Sequence, residues 1–578
     1  MRRFLFVMLG LLIVPAYLHA QIPEGADIRA IFSEIYITDD MLLNAGSDPD
    51  NWLLYGRTYA NPRYSPLKQI NRHNIKDLVV KWAFSFGVLE GQDSQAIVYN
   101  GRIWVTTSFN RVYSLDGETG SVIWSYKRDL PADVFPHLCC DVNNKGLAVY
   151  RDKGYLGTLD AHIVALDLAT GEVVWEVQTG DYKASESHTG MPLAIDGKII
   201  TGTAGAEYGV RGWIVALDAE TGEELWRIWT IAGPDGPVLE STGKVYPDWK
   251  KYWSGDSWKL GGGSQWTGIS YDPDLHAIFV PTGNPGPDFD GESRLGDNLF
   301  SNSTMVLNPD NGLLKYWFQY TPHDNWDYDG VNEVILADID GRKVWLHGDR
   351  NGFLYSIDRT NGQCIWAEPL SEINWMTGFG PNCTPIVNPE FDPEVQGYDK
   401  VTENIHPSLD GGKEWHPMSY SERTNLIYVP TYNYGMDLQP LQQQWERGEW
   451  YLGAMVIRIT DGNGALRAHD ASTGKLVWSN VYQYPMTSGV VSTAGGLVFY
   501  GDPTGMFHAV NDETGEELWS FQTGTGVHGS PTTWAINGTQ YVGAVVGAGG
   551  GGLWPLHYGE WLKTHTKGGA LFVFGLHN

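Results

Sequence analysis

The chain of 578 residues has only four cysteines, and none stands in a Cys-x-x-Cys-His run, so it carries no covalently attached haem. Basic residues are also scarce: 39 Lys and Arg face 68 Asp and Glu, a formal net charge of −29. Phosphate binding needs clustered Lys and Arg, so this balance argues against a nucleic-acid partner. A small ligand or a basic protein remains open. Beyond the N-terminus, no stretch reaches the ~18 uninterrupted apolar residues of a spanning helix, so no integral membrane segment is expected in the mature chain. What is abundant is glycine (70), tryptophan (25) and tyrosine (30) in a 42% hydrophobic sequence. That composition buries a large core and excludes a disordered protein.

Residues 1–20 read as a secretory signal. Arg2 and Arg3 precede an apolar run at 4–14, and the small residue Ala20 lies just beyond. The run is too short to anchor the chain in a bilayer. The expected mature protein, 21–578, is exported to the periplasm, an oxidising compartment for its thiols.

One unit recurs: a small apolar strand ending in Asp or Asn, a turn with Thr-Gly or Asn-Gly, then a strand reaching Trp. Clear copies span 112–116 with Gly120 and Trp124, 163–167 with Gly171 and Trp175, and 214–218 with Gly222 and Trp226. Looser ones are 305–309 with Gly312 and Trp317, and 354–358 with Gly362 and Trp366. The series closes with 466–470, Gly474 and Trp478, then 507–511, Gly515 and Trp519. The Asp or Asn oxygen can accept from nearby backbone N–H groups, and Gly supplies the positive φ that closes a short hairpin. The Trp can bury a large face between neighbouring sheets while its N–H finds a partner. Seven copies at this spacing fit the ~40–50-residue period of propeller blades. An eighth is assembled by pairing 571–574 with 79–86, which closes the ring and removes exposed edges. The expected fold is therefore all-β, a single eight-bladed β-propeller. A solenoid or a sandwich of hairpins lacks this ring closure. Irregular stretches at 231–263 and 368–415 read as insertions of the kind that carry binding residues.

Four local features bear on chemistry. Adjacent Cys139 and Cys140 either close a strained ring or remain two unpaired thiols. Gly205-Ala206-Glu207 follows a strand and presents a carboxylate, either as a solvated loop acid or as a metal ligand. In Gly283-Asn284-Pro285, the proline forces an extended Asn284 whose amide oxygen suits a hard cation, although a plain turn reads equally. In Trp326-Asp327-Tyr328-Asp329-Gly330, extended backbone would converge both carboxylates on one face with Tyr328 turned away. They repel unless a cation or proton lies between them, the alternative being an exposed acidic turn.

Taken in order, Cys139-Cys140, Glu207, Trp266, Asn284, Asp327 and Arg350 resemble the quinoprotein alcohol dehydrogenases, the pyrroloquinoline-quinone (PQQ) enzymes typified by the methanol dehydrogenase large subunit. The likeness runs from about Asn51 to the C-terminus, and the blade motif is shared. It implies that Trp266 forms the floor under the quinone and that Cys139 and Cys140 form a vicinal disulfide above it. It implies Glu207 and Asn284 as metal ligands, Asp327 as proton acceptor and ligand, and Arg350 beside the quinone carbonyl oxygen. The polar edge of the cofactor would be held by Asp93, Lys145, Thr189, Gly205, Ala206 and Asn433. Three positions depart from the family pattern. Lys145 replaces an Arg and loses its planar fork, Ala204 replaces a Ser or Thr hydroxyl, and Thr487 replaces a Trp over the cofactor rim.

The resemblance implies alcohol oxidation, with electrons passing to a separate soluble cytochrome c that the acidic surface would steer. Hard oxygen ligands suit calcium. Asp329, however, matches the aspartate that marks the lanthanide-dependent branch, and a trivalent ion better offsets three carboxylates. The expected metal is thus a lanthanide, with calcium second. A small alcohol is the expected substrate, and a homodimer is compatible with this reading. The alternatives are a related quinoprotein acting on polyols or sugars, and a non-catalytic envelope scaffold. Pocket walls are expected from 373–385 and 549–558, with Phe379 and Trp554 either narrowing the entrance or packed in the core.

Overall fold

The computed structural model describes residues 35–548 and 566–577. The expected signal at 1–20, the wall segment 549–558 and Trp554 lie outside the described residues. The molecule is all-β and propeller-type. Among the described residues, eight sheets each contain four neighbouring antiparallel strands. The first three follow one another along the chain: Ala96–Tyr99 to Val122–Lys127, Ala148–Tyr150 to Val173–Gln178, and Leu193–Ile195 to Glu224–Trp229.

The repeating turns form for the reason their spelling suggests. Asp116 Oδ1 accepts from the backbone N–H of Glu118 (3.1 Å) and Thr119 (2.8 Å) and from the Thr119 hydroxyl (2.8 Å). Asp167 and Asp218 repeat that pattern. Gly120 follows with φ +74°, a left-handed conformation that a β-carbon makes costly. The tryptophans then tie one sheet to the next. Trp124 Nε1 donates to Leu168 O at 3.0 Å, and its ring lies 2.5 Å from where a Cβ on Gly171 would stand. Trp175 does the same with Ala219 O and Gly222, and Trp226 with Pro309 O and Gly312. Any side chain at these glycines would displace an indole from the inter-sheet core.

The chain ends share a sheet, ordered Leu78–Ser85, Ala570–Leu576, Thr539–Val546, Thr532–Ile536. Val80 pairs with Phe574 and Phe84 with Leu571. Trp519 Nε1 donates to Leu78 O at 3.2 Å, while the Trp82 ring packs on Gly120. The Trp-to-turn contacts therefore join this sheet to both of its neighbours in sequence.

Both expected insertions carry structure of their own. Within 231–263, Val238–Leu239 and Lys244–Val245 extend the sheet that holds Ala277–Thr282. Within 368–415, Met376–Phe379 pairs with Pro385–Val387, and Thr402–Ile405 joins a three-stranded sheet. Phe379 packs edge-on against Phe353 at 4.7 Å, which makes it part of a core contact. Cys364 and Cys383 form a disulfide that anchors this insertion to the strand before it.

A polar triad lies on the strands Leu497–Gly501, Met506–Asn511 and Glu517–Gln522 and the turn between the first two, with His508 and Asp502 buried and Glu517 half exposed. His508 Nδ1 bonds Glu517 Oε2 at 2.6 Å and Nε2 bonds Asp502 Oδ2 at 3.2 Å. Burial alone would lower the imidazole pKa, but the two carboxylates outweigh it and raise it. A raised imidazole pKa stabilises the fold fully below the unfolded value of about 6.5 and ceases to do so as pH climbs through the folded value. His508→Gln is expected to cost about 1–3 kcal/mol at pH 6, from hydrogen bonds to charged groups, with the gap narrowing toward pH 9. Denaturant melts of both proteins across that range check this. A gap independent of pH would mean that packing, not charge, sets the contribution.

Candidate active site

The strand Arg342–Gly348 ends just before Asp349 and Arg350, and Arg350 is the charge around which the acids gather. Its Nη1 lies 3.6 Å from Asp327 Oδ2 and 3.6 Å from Asp329 Oδ2. Its Nη2 donates to Glu414 Oε1. All four side chains are largely buried, with Arg350 11% and Asp329 1% exposed. A buried guanidinium keeps its charge, and carboxylates around it are its natural counter-charges.

Asp327 and Asp329 reach a common side, but not by the route expected from sequence. Residues 321–330 form no strand, and Asp327 adopts φ +63°, in the left-handed region. Asp324 organises this loop instead. Its Oδ1 accepts from Trp326 N (2.9 Å), and its Oδ2 accepts from Tyr328 N (2.8 Å) and Asn302 Nδ2 (2.8 Å). Tyr328 turns away as expected, stacking on Trp326 and donating to Pro407 O at 2.8 Å. Left-handed backbone at a non-glycine residue recurs at functional sites, and Asp is among the residues that tolerate it.

Asn284 is tied to this loop. Its backbone N–H donates to Asp329 Oδ1 at 3.0 Å, and a Cβ on Gly283 would lie 2.3 Å from that oxygen. Only glycine allows the approach. Asn284 Nδ2 donates to Pro285 O at 3.1 Å, which leaves the amide oxygen Oδ1 buried without a partner. Asp327 Oδ1 is likewise buried and unpartnered. Two orphaned hard oxygens beside several acids suit a hard cation.

Glu207 sits in the one-turn segment Ala206–Tyr208, entered through Gly205 at φ +114°. A Cβ on Gly205 would stand 2.2 Å from Ser185 O, and Ala206 is fully buried. Burial raises the Glu207 carboxyl pKa; the Arg350 charge and the Cys139 thiol oppose that rise. Burial is likewise the main cause of the upward shift at Asp327, with Arg350 pulling down and the neighbouring acids pushing up. Asp329 is pushed up to about 7 for the same reasons. Among the described residues, no three His, Cys, Asp or Glu side chains converge tightly enough to hold a metal by themselves.

Trp266 supplies a flat apolar surface beside these groups. Lys145 Nζ stands 4.7 Å from its ring centroid and Arg350 Cζ stands 5.8 Å away. Lys145 is buried and also lies 4.6 Å from the Trp415 ring, a contact the sequence did not reveal. Its backbone N–H donates to Thr189 O at 2.9 Å, which brings Thr189 into the group. Burial lowers the Lys145 pKa, while Asp93 and Glu414 counter that. Asp93 is itself pushed up to about 6 by burial, with Lys145 opposing.

One expectation is corrected. Cys139 and Cys140 are not joined; both are free thiols. Cys140 and Asp141 are left-handed, with φ +57° and +80°. This tight turn sets the thiols side by side as hydrogen-bonding neighbours, and that contact is the main cause of the raised Cys139 pKa. The side-chain oxygen of Asn433 accepts from the backbone N–H of Glu372 at 2.8 Å. Thr487, at the expected rim position, is fully buried and donates to Val527 O at 3.4 Å.

This constellation of a flat indole, two cations and several buried acids can be set beside known proteins. The family described as "Glucose/ethanol/alcohol dehydrogenase, beta-propeller domain" matches residues 52–373. A quinoprotein alcohol dehydrogenase, PedH, of Pseudomonas putida is 40% identical over 582 residues, covering 97% of this chain and 96% of its own. The chain belongs to the PQQ-dependent alcohol dehydrogenase family. A lanthanide-dependent methanol dehydrogenase of Methylacidiphilum fumariolicum is 37% identical over 580 residues, 93% of this chain and 94% of its own. The solved structure of a europium-containing methanol dehydrogenase superposes with a TM-score of 0.88 at 36% identity, covering 93% of this chain and all of that one. A second family, the outer membrane protein assembly factor BamB, matches 462–556. That span holds two copies of the blade repeat and none of Cys139, Glu207, Trp266, Asn284, Asp327 or Arg350, all of which fall within 52–373.

Sequence patterns missed Asp324, Glu414, Trp415 and Asp288, the last a fully buried acid in the Asn284 loop. None belongs to a local motif. Glu414 and Trp415 are identified by contacts across the fold, Asp324 by the loop amides it holds, and Asp288 by its burial without hydrogen-bond partners.

Proposed function

We propose that this protein is a periplasmic PQQ-dependent dehydrogenase that oxidises small alcohols to aldehydes with a bound lanthanide, calcium being the second choice. The observation that carries the reading is the pair of buried, unpartnered oxygens, Asn284 Oδ1 and Asp327 Oδ1, beside Asp329 and Arg350. Relatives named for alcohol, methanol, lanthanide and europium support the same assignment. The scaffold is read as a closed eight-bladed propeller, supported by eight sheets that each contain four neighbouring antiparallel strands and by the Trp contacts that reach the sheet of the chain ends.

The residues fit the cofactors. Trp266 would carry the planar ring, with Lys145 and Arg350 placed to meet its carboxylate and carbonyl oxygens. Lys145 offers a point charge where a guanidinium would grip bidentately, so edge affinity depends more on Asp93 and Thr189. Glu207, Asn284, Asp327 and Asp329 would hold the ion. When bound, PQQ supplies the two-electron acceptor and the cation a Lewis acid that polarises it. Asp327 takes the proton of the substrate hydroxyl. Arg350 stabilises developing negative charge from a fixed position, held by Glu414.

The reading is tested by adding PQQ with La³⁺ or Ca²⁺ to the purified chain and measuring dye reduction by short alcohols. Turnover with La³⁺ is expected; turnover with neither ion would reject the reading. Electrons are proposed to leave to a soluble cytochrome c, since a chain of net charge −29 steers a basic partner. Raising ionic strength from about 10 to 200 mM should then slow cytochrome reduction by about tenfold or more. A salt-independent rate would point to a different acceptor.

A further inference from the structure

Asp288 lies four residues after Asn284 in the same loop, and it is fully buried. Neither of its carboxylate oxygens has a hydrogen-bond partner. The buried cation of this loop, Arg294, does not meet them. Its Nε donates to Pro287 O (2.8 Å), its Nη1 to Asn298 Oδ1 (2.7 Å), and its Nη2 to Asp288 O (3.0 Å) and Asp324 O. The loop presses on the turn that carries Glu207: a Cβ on Gly286 would stand 3.3 Å from Ala206 O. The opposite side of the site is tied to the same loop through Asn284 N and Asp329 Oδ1. Glu207 and Asp329 are among the charges acting on Asp288, and Asp288 among those acting on Asp327.

A carboxylate buried without donors is costly unless a cation or a proton compensates it. We propose that Asp288 is a fourth carboxylate facing the cation site, and that its charge favours a trivalent over a divalent ion. This rests on the metal site of the preceding section. Each added negative charge attracts an ion in proportion to the ion's own charge, so removing one weakens a trivalent ion more than a divalent one. The competing role is local, with Asp288 serving only as a distant counter-charge to Arg294 or staying protonated.

The test compares the full mature chain with Asp288→Asn, which keeps shape and removes charge. Each is loaded with PQQ and titrated with Tb³⁺ by tryptophan-sensitised luminescence, with Ca²⁺ measured by competition. The variant should lose about tenfold or more in Tb³⁺ affinity and distinctly less for Ca²⁺. Unchanged affinities, or an equal loss for both ions, overturn the assignment while leaving the metal site intact. Failure of the unaltered chain to bind either ion sinks both readings. Should the variant not fold, Eu³⁺ excitation in the unaltered chain without PQQ answers the same question, because the band energy falls as negative charge around the ion rises. A position matching four carboxylates supports the proposal, and one matching three overturns it.

Discussion

Asp327→Asn is expected to lower kcat for alcohol oxidation by about 10²–10⁴-fold, the range for loss of a general base. Several features make this variant discriminating. Asn is nearly isosteric with Asp and tolerates the left-handed backbone at φ +63°, so the loop ordered by Asp324 should persist. The amide oxygen still reaches toward the ion, so PQQ and metal loading should fall far less than turnover. What disappears is the capacity to take a proton and the charge 3.6 Å from Arg350 Nη1. Steady-state dye reduction at saturating alcohol, alongside PQQ content and metal content per chain, separates these effects. A variant that is fully loaded and retains more than about a tenth of wild-type kcat would show that another group takes the proton.

The Asp-x-x-Thr-Gly turns were readable because their hydrogen bonds close within three residues, as Asp116 and Thr119 show. The Trp contacts were readable because the repeat places each indole at a fixed distance from its own turn. Pairing of the chain ends followed from two apolar runs that had no neighbour in sequence. The site behaved differently. Its residues were recognisable as an ordered set, yet their geometry was set by groups far along the chain. Glu414 holds Arg350 from 64 positions away, and Trp415 meets Lys145 from the end of an insertion. Alternation predicted a common face for Asp327 and Asp329. A bent loop achieved it, because Asp324 captures the backbone amides of Trp326 and Tyr328. The Cys139-Cys140 ring was carried over from the family pattern, and the left-handed turn at Cys140 leaves two free thiols in its place.

Asp329→Asn is expected to lower lanthanide-supported turnover by about 10–100-fold or more, while calcium-supported turnover is retained or rises. Asp329 has two separable functions. Its Oδ1 accepts the Asn284 backbone N–H at 3.0 Å, which positions a metal-ligating amide. Its charge, buried 3.6 Å from Arg350, adds to those of Asp327 and Glu207. Ala or Ser at this position removes both functions, and loss of activity would then be ambiguous. Asn keeps an acceptor for the Asn284 amide and removes only the charge. If the charge selects the ion, the preference for La³⁺ over Ca²⁺ collapses while the fold and the Asn284 loop are unchanged. If the hydrogen bond is the whole contribution, Asn behaves like Asp with both ions and Ala fails with both. Growth-independent reconstitution with PQQ and each ion, read as kcat and as metal affinity, distinguishes these outcomes. Undiminished lanthanide turnover in the Asn variant would remove Asp329 from ion selection and leave it the structural role of holding Asn284.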